Sequence, residues 1–159
     1  MPFAKKVLVV FSTVICVSAL VAPTAAATTP TRAEANLINA INQVRAQHGL
    51  APLALDLTLQ RAARSHARSV RLSGVFAHGN IGRRLASFGA TGPRVGENLA
   101  WGVGQRATAQ GVVQSWMASP SHRANLLRPG FQRIGVGRSV GLFKGYRGAA
   151  VVTANFAGR

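Results

Sequence analysis

Acidic side chains are almost missing from this chain: Glu34, Asp56 and Glu97 are the only three in 159 residues, against 16 arginines and 3 lysines. A formal charge of +16 gives the molecule a field that attracts polyanions. Two readings of the arginines stand side by side. One is a solvated surface biased in its coding toward arginine. The other is adhesion to anionic polymers such as teichoic acids, lipopolysaccharide or acidic glycans. Nucleic acid satisfies the same electrostatics, but no basic-aromatic motif accompanies the charge, so it is not expected as a partner.

Cysteine is nearly absent too. The single Cys16 falls in an N-terminal stretch built like a secretory signal: Lys5 and Lys6, a mostly apolar run of 15 residues from Val7 to Val21, then Ala25-Ala26-Ala27. A membrane span needs about 20 apolar residues, so this run is too short. Bulky Ile15 ahead of Cys16 speaks against a lipoprotein signal. Cleavage near Ala27 is expected, which removes Cys16 and two lysines and takes the formal charge from +16 to +14. Roughly 130 residues remain, an ordinary single-domain length, folding without disulfides. The expected organisation is a leader over 1–27, a short linker over 28–32 and one domain over 33–158. The mature chain is expected to be a monomer without a transmembrane segment, in a periplasm, a cell wall or the medium.

Signatures of nucleophilic catalysis are lacking as well. There is no GxSxG elbow, no cysteine in the mature chain and no aspartate near a candidate histidine in sequence. No internal repeat occurs.

What is present is a pattern of helices first and paired strands last. Thr31 followed by Glu34 forms a capping box, and Leu37, Ile38, Ile41 and Val44 carry helical spacing up to Gly49. Asp56 caps a second helix over 57–73, closed by Gly74. One side of it gathers Leu59, Ala62, Ala63, His66 and Val70; the other gathers Arg61, Arg64, Arg68 and Arg71 as a solvated face or an anion-binding ridge. A short helix near 81–88 precedes a turn-rich break at 89–93, and "RVGENLAWG" reads as a strand or extended segment. Thr108 caps a helix over 109–118 that Pro120 stops, and Ser121 caps a turn of helix through "HRANLL". "QRIGVGRSV" and "AAVVTANFA" form an antiparallel hairpin with a mobile, glycine-rich tip, "GLFKGYRG". Phe143 and Tyr146, interleaved with Lys144 and Arg147, either touch an envelope surface or fold back onto the sheet. The class is α+β, helices packed on an antiparallel sheet.

Glu34 and Asp56 are thus explained as caps, and Glu97 is not. Of the histidines outside the leader, His48 reads as a helix C-terminal cap and His66 as a hydrogen-bonded core residue. His78 and His122 stand in loops just outside helices, where site residues concentrate. Neutral imidazole is the commonest ligand for divalent transition metals, and a carboxylate that accepts Nδ1–H leaves Nε2 facing outward. Trp101 and Trp116 read as core, Asn98 and Asn125 as bonded to neighbouring turn backbone, and Arg123 as a partner of Glu97 or of a carbonyl.

The blocks "LINAINQVRAQHGLAPLALDLTLQRAARSHA", "FAHG", "GENLAWG", "VVQSWMASPSHRANLL" and "FQRIGVG", with the closing aromatic strand, resemble the CAP superfamily over about residues 33–158. That superfamily takes in cysteine-rich secretory proteins, insect venom antigens and pathogenesis-related plant proteins. The match is to its bacterial, disulfide-free secreted branch. The resemblance implies a three-layer α-β-α sandwich, with helices flanking a small mainly antiparallel sheet. It also implies a cleft lined by two histidines, His78 and His122, and the acid Glu97. Many relatives add a glutamate three residues after the tryptophan of the third helix; Ser119 stands there.

Three functions follow as alternatives. The first is a secreted binding protein whose His78, Glu97 and His122 cleft takes an envelope, lipid or glycan ligand, with His78 and His122 the candidates to hold a divalent cation such as zinc. The second is a metal-assisted hydrolase of peptide or peptidoglycan bonds, in which a water on a cation held by His78 and His122 is the nucleophile and Glu97 the base or orienter. The third is adhesion to anionic envelope by charge alone, the trio only tying loops together.

Overall fold

The computed structural model describes residues 29–90 and 92–158. The expected leader, its cleavage point near Ala27, Cys16 and the first linker residue lie outside the described residues. Among the described residues five helices and four strands follow one another: α1 (Arg32–Gln47), β1 (Ala54–Leu55), α2 (Leu57–Ser73), α3 (Ile81–Ser87), β2 (Arg94–Gly102), α4 (Ala109–Met117), α5 (Pro120–Leu126), β3 (Phe131–Phe143) and β4 (Tyr146–Gly158). A single 3₁₀ turn, Gly104–Ala107, precedes α4.

The sheet order is β1-β3-β4-β2, with β1 parallel to β3 and every other pair antiparallel. The two-residue period of β4 sorts its side chains onto two faces. Val152, Ala154 and Phe156 pack with Leu37 and Ile41 of α1 and Trp116 of α4, while Ala149 and Val151 pack with Ala67 and Val70 of α2. The result is the expected three layers: α1, α4 and α5 on one side, α2 and α3 on the other.

Local chemistry sets the helix ends. Thr31 and Glu34 make both halves of the capping box, the Asp56 carboxylate accepts from the Thr58 and Leu59 amides, and Gly74 closes α2 in the left-handed region. Two of these caps carry a second duty. Glu34 pairs with Arg64 at 2.6 Å, and Asp56 pairs with Arg133 at 2.6 Å. Arg64 therefore belongs to an ion pair across the α1–α2 seam, and Arg71 donates to Ser139 Oγ at 2.7 Å. Of the four arginines on that side of α2, only Arg61 and Arg68 stand in solvent.

Two boundaries differ from expectation. The β3–β4 strands continue through most of "GLFKGYRG", leaving a tight turn at Lys144 and Gly145. Both residues take positive φ, 50° and 84°, the backbone whose twist matches a two-residue hairpin. Helix α5 begins at Pro120 with Ser119, not Ser121, in the cap position, because proline's missing N–H and fixed φ suit the first helical turn.

Candidate functional site

Glu97 lies mid-way along the edge strand β2, opposite Asn155 of β4, and is 3% exposed. A carboxylate buried this far must be paired. His78 Nδ1–H donates to its Oε1 at 2.8 Å, and the Arg84 guanidinium donates to Oε2. Arg84 also donates to the His78 carbonyl at 2.8 Å, so a single side chain of α3 fixes both the acid and the loop that carries the histidine. Held this way, His78 turns Nε2 outward; the ring is nearly half exposed. Arg123, which the sequence offered as partner of Glu97, instead reaches His48 Nε2 at 3.5 Å. His48 caps α1 through Nδ1–H to Val44 O at 2.8 Å.

His66 is buried, as read from its helical face, but its neighbour is unexpected. Its Nε2 stands 3.6 Å from Glu97 Oε1 without a hydrogen-bond partner. Burial holds its pKa below the ordinary imidazole value; Glu97 opposes this, and Arg84 and His78 add to it.

His122 enters from the opposite layer, in the first turn of α5, and is half-buried. It is placed by a polar relay along β2. Asn98 Nδ2 donates to the His122 carbonyl at 3.0 Å, while Asn125 Nδ2 donates to Glu97 O at 3.1 Å and to Asn98 Oδ1 at 3.0 Å. Trp116 Nε1 donates to Leu99 O at 3.2 Å. These bonds reach far along the chain, so the asparagines are clamps across layers rather than local turn bonds. They also occupy carbonyls on the free edge of the sheet, which would otherwise invite pairing. The His78 and His122 ring centres are 6.5 Å apart. Burial, and secondarily His78, lowers the His122 pKa.

Beside His122 opens a hollow of about 300 Å³, lined among others by Phe76, Leu99, Trp101, Trp116 and Ser119. Trp116 is core, but Trp101 is only half-buried and forms part of the wall. Ser119 contributes no charge there. A larger hollow of about 510 Å³ lies between α1 and the start of α4 and includes none of the three candidate residues.

The set fits a cation poorly. Among the described residues no group of three or more His, Cys, Asp or Glu is placed to hold a metal ion. Both oxygens of Glu97 are engaged, one by a guanidinium. A tetrahedral zinc at about 2.1 Å from each nitrogen brings two imidazole centres to about 5.3 Å; these stand at 6.5 Å, which leaves an almost linear arrangement.

Two expected outcomes arise here. Glu97→Gln keeps the shape but leaves Arg84 without a counter-charge, so stability should fall by about 2 kcal/mol, read by urea titration. His78 should also lose its fixed tautomer, visible in its ring ¹⁵N shifts; an unchanged tautomer would contradict the orienting role. The second outcome concerns pH. His66 and His122 resist protonation when folded, so the unfolded chain binds protons first and stability falls as pH drops below 6.5. For Glu34 and Asp56, burial works to raise the pKa, but bonds from Arg64 and Thr31, and from Leu59 and Arg133, outweigh it. Their stabilisation is present above the ordinary carboxylate range and is lost as pH falls through it. Melting temperature should therefore decline in two stages on acidification; a curve flat from pH 7 to 5 would remove the histidine contribution.

Residues 38–156 match the profile of the cysteine-rich secretory protein family, CAP. The uncharacterized protein YkwD of Bacillus subtilis (strain 168) is 36% identical over 109 residues, 65% of this chain and 41% of that protein. An extracellular protein containing an SCP domain from Bacillus anthracis superposes with a TM-score of 0.67 at 27% identity, over 79% of this chain and 40% of the other. This chain thus spans about two-fifths of the length of each. An outer surface protein of Borrelia burgdorferi shares the fold with a TM-score of 0.65 at 24% identity, over 77% of this chain and 90% of that one.

Proposed function

This chain belongs to the cysteine-rich secretory protein (CAP) family, and from that premise we propose that it works outside the cytoplasm as a binding protein. Its ligand is a small molecule with a polar, uncharged or anionic head and an apolar body. The observation that carries the reading is the juxtaposition at the edge of β2. His78, oriented by Glu97, faces His122 across 6.5 Å, next to a hollow walled by Trp101, Phe76 and Leu99. Polar groups held by clamps beside an apolar wall are the usual make-up of a small-ligand site.

Charge supports this choice of head group. Arg84 neutralises Glu97, Ser119 adds no acid, and Arg106 lines the same hollow. Hydrolysis is the weaker reading, because Glu97 is 3% exposed with both oxygens engaged, and so lacks the free position that a general base needs. No helix among the described residues is long and apolar enough to cross a membrane.

Titration with short alkyl carboxylates and with N-acetylated amino sugars tests the reading. One class should shift the His78 and His122 ring signals and Trp101 emission saturably. His122→Ala should weaken that binding about tenfold, the worth of one charge-assisted hydrogen bond, while His48→Ala leaves it unchanged. If neither class moves these signals, the cleft is not a ligand site.

A further inference from the structure

Among the described residues, six of the ten large apolar side chains left in solvent lie at one end of the molecule. Leu72, Val75 and Phe76 follow the last turn of α2, and Val140, Leu142 and Tyr146 belong to the β3–β4 tip. Contacts bring the two groups together: Arg71 donates to Ser139 Oγ, the Phe76 ring lies 6.4 Å from Phe143, and Trp101 bridges Phe143 and Tyr146 at 5.4 and 5.7 Å. Leu72, Val75 and Leu142 are 63%, 62% and 62% exposed and share one end rather than being scattered singly over the surface.

The surround of this end is cationic. Lys144 and Arg147 stand in solvent on the tip, Arg106 beside Trp101, and Arg71 under the β3 backbone. All three side-chain carboxylates of the chain are in ion pairs elsewhere, with Arg64, Arg133 and Arg84. No acid therefore offsets the charge of the tip.

Lys144 sits where the fold would prefer another residue. Its φ of 50° is in the left-handed region, which favours asparagine or glycine in a two-residue hairpin turn. A lysine there gives up stability and keeps an exposed ammonium at the apolar tip, its Nζ 5.8 Å from the centroid of the Phe143 ring.

We propose that this end, the β3–β4 tip together with the end of α2, docks on the surface of an anionic lipid bilayer. Aliphatic side chains that enter the interface, aromatics at headgroup depth and lysine or arginine reaching phosphates are what such a surface selects. A soluble polyanion would use the charges but has no use for Leu72, Val75 and Leu142. A second copy of the chain would bring like charges face to face. The proposed surface adjoins the hollow beside His122, sharing Phe76, Trp101 and Arg106 with its wall. It uses neither His78 nor His122, however, and does not rest on the cleft's binding a ligand.

The test is co-sedimentation of the protein with vesicles of phosphatidylcholine alone and of equal parts phosphatidylcholine and phosphatidylglycerol, at physiological ionic strength of about 0.15 M. The protein should partition to the phosphatidylglycerol vesicles only, with a blue shift of Trp101 emission. Lys144→Asn should melt higher yet bind about fivefold more weakly, the worth of one cation near an anionic surface. The double variant Leu142→Ser, Tyr146→Ser should lose at least tenfold, and His122→Ala should bind as before. Three results overturn the proposal. The first is no partition at all. The second is a double variant that binds like the parent, both released by salt, which marks adhesion by charge alone. The third is a concentration-dependent dimer that the double variant dissolves.

Discussion

Gly137→Ala should leave no folded protein. A Cβ at this position would lie 2.2 Å from the Arg64 amide nitrogen and 2.3 Å from the Ala63 carbonyl carbon, both backbone atoms of α2. No side-chain rotation relieves such a clash; the helix must lift off β3. That movement breaks the packing of Ala67 and Val70 on Val151 and strains the Glu34–Arg64 pair. The cost exceeds about 4–5 kcal/mol, comparable to the whole stability of a domain this size. Gly135→Ala meets Gln60 N at 2.0 Å and should behave alike. Gly89→Ala is the comparison, because no atom lies within 4 Å of its added methyl and only a positive φ of 79° must be sustained. That variant should fold and melt a few degrees lower, at about 1 kcal/mol. Circular dichroism of the three decides the matter; a cooperatively folded Gly137→Ala would mean that α2 does not sit on β3 as described.

Arg45→Met should cost about 3–5 kcal/mol. Arg45 is 1% exposed, and its partners are carbonyl oxygens: Ala51 at 2.9 Å, Leu126 at 2.8 Å, Arg128 at 3.2 Å and Phe131 at 3.4 Å. Burial accordingly lowers its pKa. The guanidinium gathers the end of α1, the end of α5 and the start of β3 into one knot. Methionine fills a similar volume but leaves those carbonyls unpaired. Lysine keeps the charge but lacks the planar fork, so Arg45→Lys should recover only part of the loss. Urea midpoints of the three proteins give the order Arg, Lys, Met. Equal midpoints would show that water satisfies the carbonyls instead.

The two variants mark a boundary in what the linear chain discloses. The starts of α1, α2 and α4 were legible, since a capping box needs only Thr31 and Glu34 three residues apart, and a C-terminal stop needs only Gly74; the start of α5 was not. The α+β class was legible from the change of hydrophobic period. The trio of His78, Glu97 and His122 was picked out by elimination and by resemblance, and the fold brings its members together. Their partners were not legible. Arg84 and Arg123 are equivalent in sequence as cations of short helices, and only the packing of α3 against β2 selects Arg84. His66 was rightly placed on the buried face of α2, yet nothing in a helical period says that the surface opposite holds Glu97. Trp101 was read as core from its size and stands half in a wall of the hollow.

The amino-acid order by itself determined the helices and the three long strands, most of the caps, the cationic balance and the scarcity of acids, because each depends on neighbours within a few residues or on composition alone. The short β1 and the Ser119 cap of α5 did not come from it. The tertiary structure alone decided which arginine meets which acid, why two glycines of β3 must lack a Cβ and how a buried cation is held by carbonyls. It also decided which apolar residues were left uncovered at one end. Apart from the Arg45–Ala51 bond, six residues apart, the polar contacts among those outcomes span separations of 13 to 86 residues, where the chain supplies the groups and only packing in three dimensions assigns their partners.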